Sequence, residues 1–519
     1  MNRRWNAAFR RQTATRAQAA GCRLKAAFRF TGIKREMSVR GILTLTALLL
    51  LSHCALPAAN VSNKLNVLFI ISDDLTSTAL SCYGNQVCRT PNIDRLAARG
   101  TRFTRAYCQG TNCGPSRASF MSGYYPHATG VQGYTNPRPA IGDRATWSQH
   151  FKNAGYYSAR VSKIFHMGVP SGIEEGSDGA DDEASWTERF NSQGPEWKAP
   201  GVGETLERNP DGKKPVMGGN TFVVVAAEGD DMVHSDGKTA AKACALIARH
   251  KDQPFFLAVG FVRPHVPFVS PKSYHKAFPW EAMVLPEKIP GDWDDIPKPG
   301  INYKTSVNMQ MDVTRQKKAI AGYYAAVTFM DAQVGKVLDA LERAGLNDQT
   351  IVIFTGDHGY HLGEHDFWAK VSLRDESAQV PLIISVPGKK AAVSHSLVEL
   401  LDLYPTTARL CGLEVPARLQ GKDLTPVLDN PAQQVRDTAF SVAGTSKGLL
   451  LRDDRWACIQ YGEDAQGGIE LFDMKADPKQ YTNLASSPAH ASVVASFKVK
   501  LADKLAAVRK NDLAVAASK

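Results

Sequence analysis

The chain has 519 residues, 43% hydrophobic and 22% charged, the balance of an ordinary globular protein. Its net charge of +11 suggests a nucleic-acid partner until the charges are placed. Residues 1–36 contribute nine of them and residues 37–59 one more, so the body carries only +1 and a nucleic-acid-binding class is excluded.

In chain order, residues 1–59 read as a leader. Met37-Ser-Val-Arg40 is a short basic start, residues 41–51 are an apolar run, and Ala55-Leu-Pro-Ala-Ala59 offers small residues for cleavage. That is the pattern of a secretory signal peptide, with Met37 as the start and residues 1–36 as an extension before it; an Arg-rich, acid-poor organellar transit segment is the other reading. The run is too short to span a bilayer, and no other run is longer. His53 beside Cys54 speaks against a lipoprotein box. The expectation is an exported protein, periplasmic or secreted, without a membrane span.

Residues 66–72 (NVLFIIS) form an uninterrupted apolar run rich in branched side chains, which predicts a strand buried on both faces. Residues 255–261 (FFLAVGF), 351–355 (IVIFT) and 381–386 (PLIISV) repeat the pattern. Between them, residues 316–344 place Ile320, Val327, Val334, Leu338 and Leu341 at helical spacing, with Gly345 as the stop. Strands alternating with helices predict an α/β domain with a mostly parallel sheet. Residues 170–230 and 279–315 have poor periodicity and read as loop insertions, the first of them rimming a pocket. After about 420, short strands at 448–452 and 456–461 predict a small antiparallel subdomain closed by a helix near 490–508. The expected division is a leader over 1–59, a catalytic domain over 60–425 and a C-terminal subdomain over 426–519.

Two of the buried strands end in acids. Asp73-Asp74 follows the first, and Gly356-Asp357-His358 ends the third. Adjacent side chains of a strand point to opposite faces, so neighbouring acids converge only where the chain bends at a strand end. Open α/β sheets bind ligands there. Three carboxylates and one imidazole predict a metal site, and hard oxygen ligands favour Ca²⁺ or Mg²⁺ over zinc.

Nine cysteines are present, two of them in the leader, which leaves an odd seven. In an oxidising compartment at least one is then unpaired or chemically altered. Cys113 is the candidate, in Thr111-Asn-Cys-Gly-Pro-Ser-Arg-Ala-Ser-Phe-Met-Ser-Gly123. Residues 118–121 read as the start of a helix, so Cys113 lies near a helix N-terminus, where an anion is favoured. Arg117 adds a fork of donors for an oxyanion.

Cys113-Gly-Pro-Ser-Arg117 resembles the Cys-x-Pro-x-Arg signature of type I sulfatases. Thr90-Pro-Asn-Ile-Asp-Arg-Leu-Ala97, Gly155-Tyr-Tyr-Ser-Ala-Arg-Val-Ser-Lys-Ile-Phe-His166 and Glu470-Leu-Phe-Asp473 follow in the family's order, with Ser162 where glycine is usual. Gly356-Asp-His-Gly-Tyr-His-Leu-Gly-Glu-His365, Trp368-Ala-Lys370 and Gly260-Phe-Val-Arg-Pro-His-Val-Pro267 are most similar to iduronate-2-sulfatases, with Arg263 where a lysine is common. The resemblance implies an alkaline-phosphatase-like α/β/α sandwich with a smaller C-terminal antiparallel subdomain. It implies that a formylglycine-generating enzyme converts Cys113 to formylglycine, which joins Asp73, Asp74, Asp357 and His358 around Ca²⁺. It implies that Arg117 holds the formylglycine hydroxyl or the sulfate, that Lys370 contacts the sulfate, that His265 is the general acid, and that Lys163 and His166 help expel sulfate. The implied substrate is a sulfated sugar or polysaccharide. His361, Glu364 and His365 are expected to support the metal ligands, and Tyr323-Tyr324 to pack a helix. The alternatives are a phosphonate or phosphate monoester hydrolase of the same superfamily, and an inactive carbohydrate-binding relative. A Cys113–Cys108 disulfide would also abolish catalysis.

Overall fold

The apolar runs become the centre of a nine-stranded sheet. The computed structural model describes residues 64–513 apart from 210, 216–219, 302 and 303; the leader expected over 1–59 lies outside the described residues. The strands are β1 (Asn66–Asp73), β2 (Thr101–Tyr107), β3 (Tyr157–Ser162), β4 (Glu188–Phe190), β5 (Phe255–Pro264), β6 (Thr350–Gly356), β7 (Gln379–Ser385), β8 (Ala392–Ser394) and β9 (Val398–Glu399). Their order is β8-β2-β7-β6-β1-β5-β3-β4, with β9 also on β2. Only β7 runs against its neighbours. The register keeps the central strand ends level: Ser72 lies opposite Gly356 of β6 and Phe261 of β5, and Ser162 opposite Gly260.

Alternation along β1 divides the core. Leu68 and Ile70 face a layer that includes α2 (Ser235–Arg249) and α3 (Val313–Arg343), through Leu246, Ile247, Ile320, Val334 and Leu338. Val67, Phe69 and Ile71 face the other layer, with Phe120 and Met121 of α1 (Cys113–Ser122) and Trp147 and Phe151 behind them. Both faces of the sheet are covered by helices, the three-layer arrangement expected.

The C-terminal strands β10 (Ala439–Ala443), β11 (Gly448–Arg452), β12 (Trp456–Tyr461) and β13 (Ile469–Asp473) form an antiparallel meander. Phe497, Leu501, Leu505 and Val508 of α4 (Ala491–Arg509) pack against it. Thr111 N–H donates to Val442 O at 3.1 Å, so this sheet meets the chain just before Cys113.

Residues 170–230 carry more regular structure than their sequence suggests. They contain β4, and they pair Gly201–Thr205 with Val223–Ala227, which in turn pairs with Phe268–Pro271. These strands have three to five residues, too few to show a period.

Candidate active site and metal centre

Four neighbouring parallel strands each deliver site residues at one edge of the sheet. β1 ends in Asp73 with Asp74 next, and β6 leads to Asp357 and His358. β5 leads to His265, and β3 to Lys163 and His166. Cys113 and Arg117 come from α1, and Lys370 follows the short hairpin of His361–Leu362 and Trp368–Ala369. Nine of these ten residues are buried and His166 is half-buried.

The helix α1 begins at Cys113 itself, five residues earlier than its sequence suggests. Pro115 falls in the first turn, where a missing N–H costs nothing. Gly114 is required by contact: a Cβ there would lie 2.1 Å from Gly133 O. That approach lays the loop carrying Tyr134 over the start of the helix.

Asp73 and Asp74 converge because Asp74 has a left-handed backbone, φ +61°. Its N–H donates to Asp357 Oδ1 at 3.1 Å, and its carbonyl accepts the Tyr323 hydroxyl at 2.7 Å. Tyr323 also accepts Thr76 N–H at 2.9 Å, so it braces the turn rather than only packing its helix. Ser162, at the position where glycine is usual, also has φ +61°.

Candidate ligand atoms of Asp73, Asp74, Cys113 and His358 all lie within 4.8 Å of one another. Cys113 Sγ is 3.3 Å from Asp73 Oδ1, 3.4 Å from His358 Nε2 and 3.5 Å from Lys370 Nζ. His358 Nδ1 lies 2.9 Å from Gly359 O, which places the N–H there and leaves the Nε2 lone pair facing Asp74 Oδ1 at 3.3 Å. Asp74 Oδ2 is buried without a hydrogen-bond partner, an oxygen that a cation would satisfy. The group therefore fits a metal ion. Asp357 stands beside this foursome. Its Oδ1 accepts the N–H groups of Asp74 and His358, and its Oδ2 accepts Arg117 Nε at 2.8 Å while lying 3.6 Å from His358 Nε2.

Cations surround the acids. Lys163 Nζ pairs with Asp73, and Lys370 Nζ with Asp74 Oδ1 at 2.6 Å. Arg117 Nη1 donates to the carbonyls of Lys163 (2.7 Å) and Ile164 (2.9 Å), which locks its guanidinium. Burial alone would raise Asp73, but the charges around it, that of Lys163 first and those of Arg117 and Lys370 after it, outweigh burial and hold that carboxyl well below its usual range. Burial pushes the Cys113 thiol well up, and the Asp73 charge adds to this. A cysteine that reacts as a thiolate has the opposite environment. Burial and the Lys163 charge push His166 down to about 2, and burial and Lys370 hold His265 well below its usual range.

His265 is framed by its own loop. Arg263 Nη1 donates to His265 O at 2.8 Å, and its Nη2 pairs with buried Glu196 from the 170–230 segment. His361, Glu364 and His365 lie elsewhere than expected. His365 pairs with Asp292 at 2.9 Å, Glu364 accepts Leu362 N–H, and the His361 ring meets Phe367. They build the hairpin that presents Lys370. All seven described cysteines are free, Cys108 included. Sequence reasoning missed Tyr134, whose ring stacks on His166 with centroids 4.1 Å apart and 24° between planes, while half of the residue stays exposed. No spacing in the sequence signals that stack.

The sequence matches the Sulfatase family over residues 65–413 and the family "N-sulphoglucosamine sulphohydrolase, C-terminal" over residues 363–507. It is 34% identical to the iduronate 2-sulfatase of Homo sapiens across 404 residues, 70% of this chain and 71% of that protein. A solved structure described as a 2-O GAG sulfatase is 25% identical and superposes with a TM-score of 0.65, covering 86% of this chain and 93% of the other. The phosphonate monoester hydrolase of Silicibacter pomeroyi, 22% identical, shares the fold with a TM-score of 0.69 over 85% of this chain and 95% of its own. With family matches that span the sheet, the edge cluster and the C-terminal meander, the chain belongs to the type I sulfatases, close to the iduronate-2-sulfatases, and is a sulfuric ester hydrolase.

Proposed function

We propose that the protein is an exported enzyme that removes sulfate from a sulfated sugar or polysaccharide in the manner of an iduronate 2-sulfatase. It uses a hydrated formylglycine made from Cys113 by a formylglycine-generating enzyme, and one divalent ion, Ca²⁺ with Mg²⁺ as the alternative. The observation that carries this reading is the buried contact set of Cys113 with Asp73, His358 and Lys370. Residues 60–425 form the catalytic domain in this reading, and 426–519 the C-terminal subdomain. The names of the human relative and of the 2-O GAG sulfatase support the sugar class.

Formylglycine supplies a nucleophilic hydroxyl, and the ion supplies charge neutralisation at the sulfate. Asp73, Asp74, Asp357 and His358 would hold the ion together with residue 113. Arg117 has Nε committed to Asp357 and Nη1 to the carbonyls of Lys163 and Ile164, so it offers only Nη2, 3.3 Å from Asp73 Oδ1, toward the hydroxyl of residue 113 or a sulfate oxygen, and its immobility means no reorganisation during reaction. Lys370 contacts the sulfate. His265 Nε2, 3.7 Å from Asp74 Oδ2, faces the same centre and protonates the leaving alcohol. Burial and the Lys370 charge outweigh the nearby Asp73 and keep the imidazole neutral; an arriving sulfate ester brings negative charge that favours its protonated form. Lys163 and His166 assist sulfate release.

Mass spectrometry of the tryptic peptide 106–117 from protein made in its own host tests the reading, because Cys108 is an internal control. A lighter residue 113 beside an unchanged Cys108 is expected; an unmodified thiol at 113 overturns the mechanism. Parallel assays on an aryl sulfate and an aryl phosphonate separate the sulfatase from the phosphonate hydrolase that shares its fold. The sulfate must give the larger kcat/KM.

A further inference from the structure

A cavity of about 640 Å³ lies beside the catalytic edge, within the size range of small-ligand sites. Three distant parts of the chain build it. The 279–315 segment contributes Lys298 and Ile301, the stretch after Lys370 contributes Val371 and Leu373, and the turn between β10 and β11 contributes Lys447.

Backbone bonds tie the cavity to the site. Val371 N–H donates to Thr111 O at 3.1 Å, two residues before Cys113, and Thr111 N–H donates to Val442 O on the strand leading to Lys447. Val371 follows Lys370 directly, so their α-carbons are about 3.8 Å apart. The cavity thus adjoins the backbone that carries Lys370, while none of the ten site residues lines it.

Its chemistry is one-sided. Lys298 and Lys447 are exposed, neither is ion-paired among the described residues, and no carboxylate lines the walls. Ile301, Val371 and Leu373 offer an apolar floor. Free ammonium groups over an apolar floor suit a ligand with an anionic substituent on a ring that has an apolar face. We propose that this cavity is a second saccharide subsite, taking the carboxylated or sulfated sugar next to the one whose sulfate is cleaved. The proposal rests on the reading of the substrate as a sulfated saccharide. It implies that the enzyme prefers an oligosaccharide with a neighbouring negative charge to an isolated sulfate ester.

The test uses a Lys298→Ala/Lys447→Ala variant and two substrates, 4-nitrophenyl sulfate and a sulfated, uronate-containing tetrasaccharide prepared from heparin. The ratio of kcat/KM for the tetrasaccharide to that for the aryl sulfate is expected to fall about tenfold, the size of two partly screened charge pairs. The same substitutions in a Cys113→Ser background, which cannot turn over, should weaken tetrasaccharide binding about tenfold by calorimetry. An unchanged ratio together with unchanged affinity overturns the subsite. Both lysines are exposed, and an unchanged melting temperature confirms the fold. If matured wild-type enzyme hydrolyses neither ester, the sulfatase reading of the substrate falls, while the binding comparison still decides the cavity.

Discussion

The catalytic edge and the neighbouring cavity follow opposite rules. At the edge, Asp73, Asp74, Arg117, Asp357 and His358 are fully buried, and each is held by backbone groups or by charges from another strand. In the cavity the two cations stand exposed on loops that only the tertiary fold brings together. The chemistry is therefore set into the core, where positions are over-determined, and recognition is carried by segments that can vary without disturbing the sheet. The comparison predicts that substitutions at the edge act on turnover and ion binding, whereas substitutions around the cavity act on substrate preference.

The largest expected effect is at the edge. Asp74→Asn weakens the oxygen set that includes the unpartnered Oδ2 and should lower both bound divalent ion and kcat, the latter by about 10³ or more. Metal content by elemental analysis and turnover must fall together. Retained activity with full metal would place the ion elsewhere and break the comparison at its strongest point. Next is His265→Ala, expected to lower kcat by about 10²–10⁴ on substrates with a poor leaving alcohol. A reactive aryl leaving group needs less protonation, so the loss there should be smaller. Equal losses on both would remove His265 as the general acid.

Tyr134 marks the outer limit of the catalytic edge, where burial gives way to solvent. One face of its ring stacks on His166, and half of the residue is exposed. Tyr134→Ala should lower kcat/KM about three- to tenfold, the worth of one aromatic stack, and Tyr134→Phe should recover most of the loss. No recovery would assign the role to the hydroxyl instead of the ring.

Legibility in the sequence followed the same boundary. The strand-end acids could be read because NVLFIIS and IVIFT are unbroken apolar runs that stop at Asp73-Asp74 and Asp357-His358, a local signal. Lys163, His166 and Lys370 are single polar residues with no such frame, and only the family resemblance picked them out. Tyr323 and Glu196 depend on contacts with partners 249 and 67 residues away, so nothing local announces them. The short strands of residues 170–230 escaped because three to five residues cannot establish a period of two. The hairpin residues Glu364 and His365 sit close to Asp357-His358 in sequence yet serve the Lys370 hairpin, which shows that proximity along the chain is a weak guide once the backbone turns.

The smallest expected effect lies in that same hairpin region and concerns stability alone. Burial, with the nearby Glu364 charge adding to it, raises the Glu376 carboxyl to about 8 from its usual 4.5. A carboxyl raised on folding binds its proton more tightly in the native state than in the unfolded chain. Its contribution to stability is then complete below the unfolded value and is lost as pH climbs through about 8. Gln at this position keeps the neutral shape and cannot ionise. Glu376→Gln should therefore melt with the wild type at pH 5 and higher than it at pH 9, by roughly 2 °C for a chain of this size. Thermal melts at the two pH values measure it. If the variant melts lower at pH 9, Glu376 is ionised and paired in the fold, and the hairpin behind Lys370 is held by charge instead of by burial.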